Sequence, residues 1–151
     1  MANLRCVHVE SKKHRAWPAL NRLGEPINDP VSAFIAGLFA THQEETFTGN
    51  LGLTCKSIER RRDERRSDGD SKLSPTERRF QHLLSAETEA ELFNRVLRMV
   101  LLAKSQGIPV NYEQLEADLR SWKWSDRIKT KWASGFWAQE APPVDSNEEA
   151  L

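Results

Sequence analysis

Cations at fixed spacing are the residues of this sequence that could do chemistry. Arg78 and Arg79 stand directly before an apolar Phe80, Arg95 and Arg98 are three residues apart, and Arg127, Lys129 and Lys131 alternate with Ile128 and Trp132. Guanidinium and ammonium groups neutralise phosphates without reading bases, so a set of them fixed by neighbouring apolar anchors suits the backbone of a nucleic acid. Lys56 belongs to the same set, with Arg15, Arg22 and Lys129 as secondary members. A solvated helix face would carry the same residue types, and for Arg95 and Arg98 both readings stand. The run Arg60, Arg61, Arg62, Arg65 and Arg66 is diluted by Glu59, Asp63 and Glu64 and reads equally as a solvated helix end.

Other chemistry finds little support. His8, His14, His42 and His82 are not paired at ligand spacing, and the chain has no HExxH, Gly-rich phosphate loop, nucleophile elbow or pair of CxxC motifs. Cys6, His8 and His14 are read as holding no metal, and Cys6 and Cys55 as reduced thiols of a cytoplasmic protein, neither of them catalytic. The expectation is a protein without catalytic residue, metal or cofactor.

Three helix signals position most of these cations. Ser74-Pro75-Thr76-Glu77 is a capping box that starts a helix burying Phe80, Leu83 and Leu84. Thr88 with Glu91 opens a longer one, the central helix, with Leu92, Phe93, Val96, Leu97, Val100 and Leu101 inward and Gly107 and Pro109 at its close. Asn111 with Gln114 caps a third that carries Leu115, Leu119 and Trp122, and a fourth after Ser125 places Ile128, Trp132 and Phe136 four residues apart. Upstream, Asp29-Pro30 starts a helix with Val31, Phe34, Ile35, Leu38 and Phe39 on its apolar face, and a shorter helix runs from Trp17 to about Gly24. Trp17, Trp122, Trp132 and Trp137 read as core residues, and Trp124 as an exposed one.

The fold class is all-α, a bundle of about six helices. Residues 1 to 13 lack periodicity and form a poorly ordered N-terminal segment, residues 14 to 138 one helical domain with a mobile charged loop at about 64 to 73, and residues 139 to 151 an acidic disordered tail. Formal net charge is zero, but the tail holds Glu140, Asp145, Glu148 and Glu149 and no cation, which leaves 22 basic and 18 acidic residues in the body. No apolar run is long enough to span a membrane, and the N-terminus lacks the apolar segment of a signal peptide.

Several segments in one order resemble a known family. Pro30-Val31 leading to Gly37-Leu38-Phe39-Ala40-x-His42, Gly49-Asn50-Leu51-Gly52 with Lys56, and Glu77-Arg78-Arg79-Phe80-x-x-Leu83-Leu84 are similar to the CasB family, the small subunit of the type I-E CRISPR surveillance complex, Cascade. Gly107-Ile108-Pro109-Val110-Asn111-Tyr112, Asp126-Arg127, Lys131-Trp132-Ala133 and Phe136-Trp137 resemble its C-terminal signature. The segment before His14 departs from the family's longer basic opening helix, and the Arg60 to Arg66 run is an unusually charged insertion. The resemblance implies an all-helical, non-catalytic subunit present in two copies beside the crRNA-guided backbone and large subunits. It implies sequence-independent contact with the target DNA and the displaced strand of the R-loop, since base pairing with the guide supplies the specificity. A protein-only helical scaffold and a free-standing helical DNA-binding regulator are the alternatives; the second would need a recognition helix, which is not found.

Overall fold

The structure is a computed structural model that describes residues 2–9, 12–24, 28–62, 72–122 and 126–138. Among them are eight α-helices: α1 (Ala2–Arg5), α2 (Trp17–Arg22), α3 (Pro30–Thr41), α4 (Leu51–Arg61), α5 (Pro75–Leu84), α6 (Glu89–Ser105), α7 (Tyr112–Arg120) and α8 (Asp126–Trp137). The expected helices correspond to α2, α3, α5, α6, α7 and α8, and α1 and α4 are added to them. Arg65 and Arg66, Trp124, the acidic tail and most of the loop expected at 64 to 73 lie outside the described residues.

Helix starts are set by side chains that satisfy the first free backbone N–H groups. The Asp29 carboxylate accepts from the N–H groups of Val31 and Ser32, and Pro30 begins α3 without a donor to lose. Ser74 and Glu77 exchange their hydrogen bonds as a complete capping box, while Thr88 and Asn111 cap α6 and α7 through Glu91 and Gln114. Asn50, which the sequence shows only as a turn residue, caps α4 through the N–H of Leu53 and also donates its amide to the Lys131 carbonyl of α8 at 3.1 Å. Helix α6 ends on Gly107 at φ +67, where Ile108 N–H donates to Ala103 and Gly107 N–H to Lys104, the paired bonds of a Schellman turn.

The main core lies between α3, α4, α5, α6, α7 and α8 and includes Leu38, Ile58, Phe80, Leu83, Val96, Val100, Leu115, Ile128 and Trp132. Helices α4 and α8 cross at backbone contact. A β-carbon at Gly52 would overlap the Trp132 carbonyl oxygen, and one at Gly135 would stand 2.6 Å from the Asn50 side-chain oxygen. At the far end of α8, Phe136 stacks on Phe80 at 4.7 Å between centroids and Trp137 Nε1 donates to Glu77 at 2.7 Å, so α8 is locked to the first turns of α5. Buried Trp132 donates its indole N–H to Asp118 of α7 at 2.8 Å. The connection after α3 is tied down as well: His42 Nε2 donates to the Ile108 carbonyl at 2.7 Å, Tyr112 donates to the His42 carbonyl, and residues 44 to 46 pair with Val110.

A smaller second core of Leu4, Ala16, Leu20 and Ala40 joins α1 and α2 to the outer face of α3. Within it α1 and the 3₁₀ turn Cys6–His8 pack on α3, where Gly37 leaves room for Val7 and His8, and Arg5 Nε donates to the Ala40 carbonyl at 3.0 Å. The local pattern is silent here because these turns are too short to show a period and are organised by α3. Two tryptophans differ from the core reading, Trp17 being 46% exposed and Trp137 40% exposed. Both sit at element edges, where an apolar position has protein on one side only. Leu101 is exposed too, and Met99 and Ala103 take the inward positions on α6.

Arg120 of α7 bridges Asp29 and Glu116 at 2.9 Å each and donates to Ser32 Oγ at 2.6 Å. Burial alone would raise the Asp29 carboxyl, but hydrogen bonds from Ser32 and Arg120 outweigh it and hold the group below its ordinary value. Its stabilisation is thus full above that ordinary value and is lost as pH falls through the depressed one. The variant Asp29→Asn should show a shallower loss of stability on the acid side than wild type, read from denaturant midpoints over a pH series. Replacing Gly52 with Ala should lower unfolding stability by about 1–3 kcal/mol, because the obstacle is backbone and cannot rotate away; thermal and denaturant melts of the variant check it.

Candidate nucleic-acid interface

Phe80 and Leu83 on α5, and Val96, Met99 and Val100 on α6, are buried, so the polar faces of these two helices have fixed directions. Between them lies an open groove of about 400 Å³ lined by Arg79 and His82 from α5 and by Arg95, Arg98, Leu101, Leu102 and Ser105 from α6, with Met99 at its floor. The α5 pair is spaced i, i+3 and so is the α6 arginine pair, which brings each pair to one helix face.

The three arginines of the groove are not equivalent. Arg95 donates from Nη1 to the His82 carbonyl at 2.8 Å and to Ser85 Oγ at 3.3 Å, and its Nη2 lies 3.6 Å from Glu91. It adds a donor to the His82 carbonyl in the last turn of α5 and is half-buried in doing so. Arg79 and Arg98 are exposed, with no ion pair among the described residues. Arg78 is exposed on α5 and does not line the groove.

A second cationic stretch lies on α8. Arg127 and Lys131 are exposed one turn apart on the face adjoining the buried Ile128 and Trp132. Lys129 is turned to the other side, with its ammonium 5.9 Å from the centre of the Trp122 ring. Lys56 of α4 donates to the Ala138 carbonyl at 2.6 Å and fastens the end of α8. Arg15 is exposed in the 3₁₀ turn Lys13–Ala16, and Arg22 of α2 donates to the Pro18 carbonyl at 3.3 Å and lines a cleft of about 840 Å³. Of the ten residues singled out in the sequence, five fall into two groups, Arg79 with Arg95 and Arg98, and Arg127 with Lys131. Lys56, Arg95, Lys129 and Arg22 have protein partners, and Arg78, Arg15 and Arg22 belong to neither group.

Sequence reasoning passed over His82, although its i, i+3 relation to Arg79 was the available signal. Nothing in the sequence marks Arg120 as a brace, because its partner Asp29 lies far upstream. Burial raises the Cys55 thiol and the Tyr112 hydroxyl well above their ordinary values, so neither is poised as a nucleophile or base. Among the described residues no three His, Cys, Asp or Glu side chains could share a metal ion, and no helix is long and apolar enough to cross a membrane.

The different engagement of the two α6 arginines has a measurable consequence. Arg95→Ala should cost about 1 kcal/mol of unfolding stability, because the hydrogen bonds that tie it to α5 go with the guanidinium. Arg98→Ala should stay within about 0.5 kcal/mol of wild type; chemical denaturation of both variants provides the comparison.

Residues 1–137 match the family model described as CRISPR-associated protein Cse2. The fold is similar to the crystal structure of M. ruber CasB, with a TM-score of 0.61 and 26% sequence identity over 82% of this chain and 73% of that one. A comparison with curated proteins finds no match.

Proposed function

Because the chain belongs to the CRISPR-associated Cse2 family, the small subunit of the type I-E Cascade complex, we propose that it lines a nucleic-acid channel of that complex without catalysing a reaction, and that it steadies the target and displaced DNA strands of the R-loop by contacting their phosphates. The observation that carries this reading is the α5/α6 groove, where Arg79 and Arg98 stand on two rigid helices and face solvent without acidic partners among the described residues. Cations held this way need little reordering when a phosphate arrives, so less conformational entropy opposes binding. Arg127 and Lys131 extend the surface along α8, and Arg78 adds charge beside the groove. Arg95 acts by positioning, since it holds the end of α5 against α6. None of these contacts reads a base, which suits an assembly in which guide pairing does the reading.

The scaffold side of the role has its own support. The cleft of about 840 Å³ between α2, α3 and α7 is bordered by Phe47 at 73% exposure and Leu23 at 61%. Apolar side chains this exposed beside a cleft suit a protein neighbour, and the backbone subunits, the large subunit and a second copy of the chain are the partners the family supplies.

The test is a salt series with labelled single-stranded DNA, duplex DNA and RNA. Arg79→Glu combined with Arg98→Glu should weaken binding to all of them and should reduce the slope of log affinity against log salt by about 0.7 to 0.9 for each phosphate left without its cation. Removing residues 139 to 151, with four acidic residues and no cation, should tighten binding at low salt. Unchanged affinity and slope in the double variant would leave the protein-only scaffold as the function.

A further inference from the structure

The exposed face of Trp17 sits among cations that the family-level reading leaves unused. Trp17 begins α2 and its backbone N–H is held by the His14 carbonyl, so the indole rises from a fixed point at the junction of the 3₁₀ turn Lys13–Ala16 with α2. A 3₁₀ turn brings residues three apart to one side. His14 accordingly meets Trp17 edge-on, with ring centres 6.3 Å apart and planes at 75°, and Lys12 falls with Arg15 by the same spacing. Lys12, His14 and Arg15 are all exposed, and none has an acidic partner among the described residues. Beside the indole is an open groove of about 470 Å³ with exposed Trp17, Lys13, Asn28, Pro30 and Glu89 in its lining and an apolar floor that includes Phe34 and Phe93.

We propose that Trp17 is a stacking platform for an unpaired base of a single-stranded nucleic acid, with the adjoining backbone phosphate held by Lys12 and Arg15. Three features favour a base over a protein side chain. The indole is a flat π surface that every base can cover, the groove beside it is wide and apolar with an amide and a cation in its lining, and the side chains before it in sequence are cationic. A duplex hides its base faces, so this site engages only a strand that is out of its helix. That adds a preference for single strands to the phosphate contacts of the α5/α6 groove, and it rests on the proposed nucleic-acid role. Its chemistry is separate from that of the groove: stacking contributes to affinity without releasing counterions.

That separation supplies the test. Wild type, Trp17→Ala and Trp17→Phe are compared by fluorescence anisotropy on probes of equal length: single-stranded DNA, single-stranded RNA, a single-stranded DNA with a central abasic tract, and duplex DNA, each over a salt series. The expected result is a roughly ten-fold loss of affinity of Trp17→Ala for the base-bearing single strands, an unchanged salt slope, near-wild-type binding by Trp17→Phe, and no difference between the variants on the abasic or duplex probe. The DNA and RNA arms show which strand the platform takes, and a loss on either supports it. Affinities of Trp17→Ala within two-fold of wild type on both, or an equal loss on the abasic probe, would overturn the platform while leaving the phosphate groove standing. A Trp17→Ala protein that binds all strands normally but no longer assembles with the other subunits would show a protein contact instead. Wild type that binds no probe at low salt would overturn this site and the reading beneath it together; circular dichroism of both variants confirms that half-exposed Trp17 is not needed for folding.

Discussion

Two glycines allow α4 and α8 to touch backbone to backbone, and most of the arrangement depends on that contact. With Gly52 against the Trp132 carbonyl and Gly135 against Asn50, α8 lies deep enough for Trp132 to reach Asp118 and for Phe136 to stack on Phe80. Asn50 serves both helices, capping one and donating to the backbone of the other. A wider spacing would pull Trp132 from the core centre and release the first turns of α5. The orientation of Arg79, at some distance along α5, is thus set by the absence of a side chain at position 52.

The cations divide by what their neighbours ask of them. Helix ends present free carbonyls and carboxylates, and an arginine or lysine within reach becomes a brace: Arg5 on α3, Arg95 on α5, Arg120 between α7 and the start of α3, and Lys56 on the end of α8. Arginine is well suited to this task because one planar head meets several acceptors at once. Those left over, Arg78, Arg79, Arg98, Arg127 and Lys131, keep their charge toward solvent. A nearly neutral protein can therefore present a cationic face, since its acids are concentrated at helix starts and in the tail.

Much of this was legible from local signals. The caps at Asp29, Ser74, Thr88 and Asn111 and the inward residues of α5, α7 and α8 follow from spacing alone, because each depends on contacts within one or two turns. What escaped was tertiary. Trp17 and Trp132 both occupy apolar positions, yet only the crossing of α4 and α8 buries the second, and no pattern within α2 says that the first is left at an edge. Arg95 and Arg98 are equivalent by periodicity and become different only when the end of α5 arrives beside one of them. The short N-terminal turns carry no period of their own and are organised by the outer face of α3.

That outer layer differs from the main core in kind. Its buried residues are two leucines and two alanines, clasped to α3 by Arg5 and by the space at Gly37, while the main core is built on stacked aromatic rings and long aliphatic side chains. Half-buried His8 enters the layer with its imidazole held below its ordinary value by desolvation, so proton uptake opposes docking as pH falls. With so little apolar area beneath it, this layer should open at a lower free-energy cost than the six-helix body. Amide hydrogens of α1 and α2 would then exchange through this partial opening, far faster than those of α6, and whatever engages the turn before Trp17 would slow them by holding the layer closed.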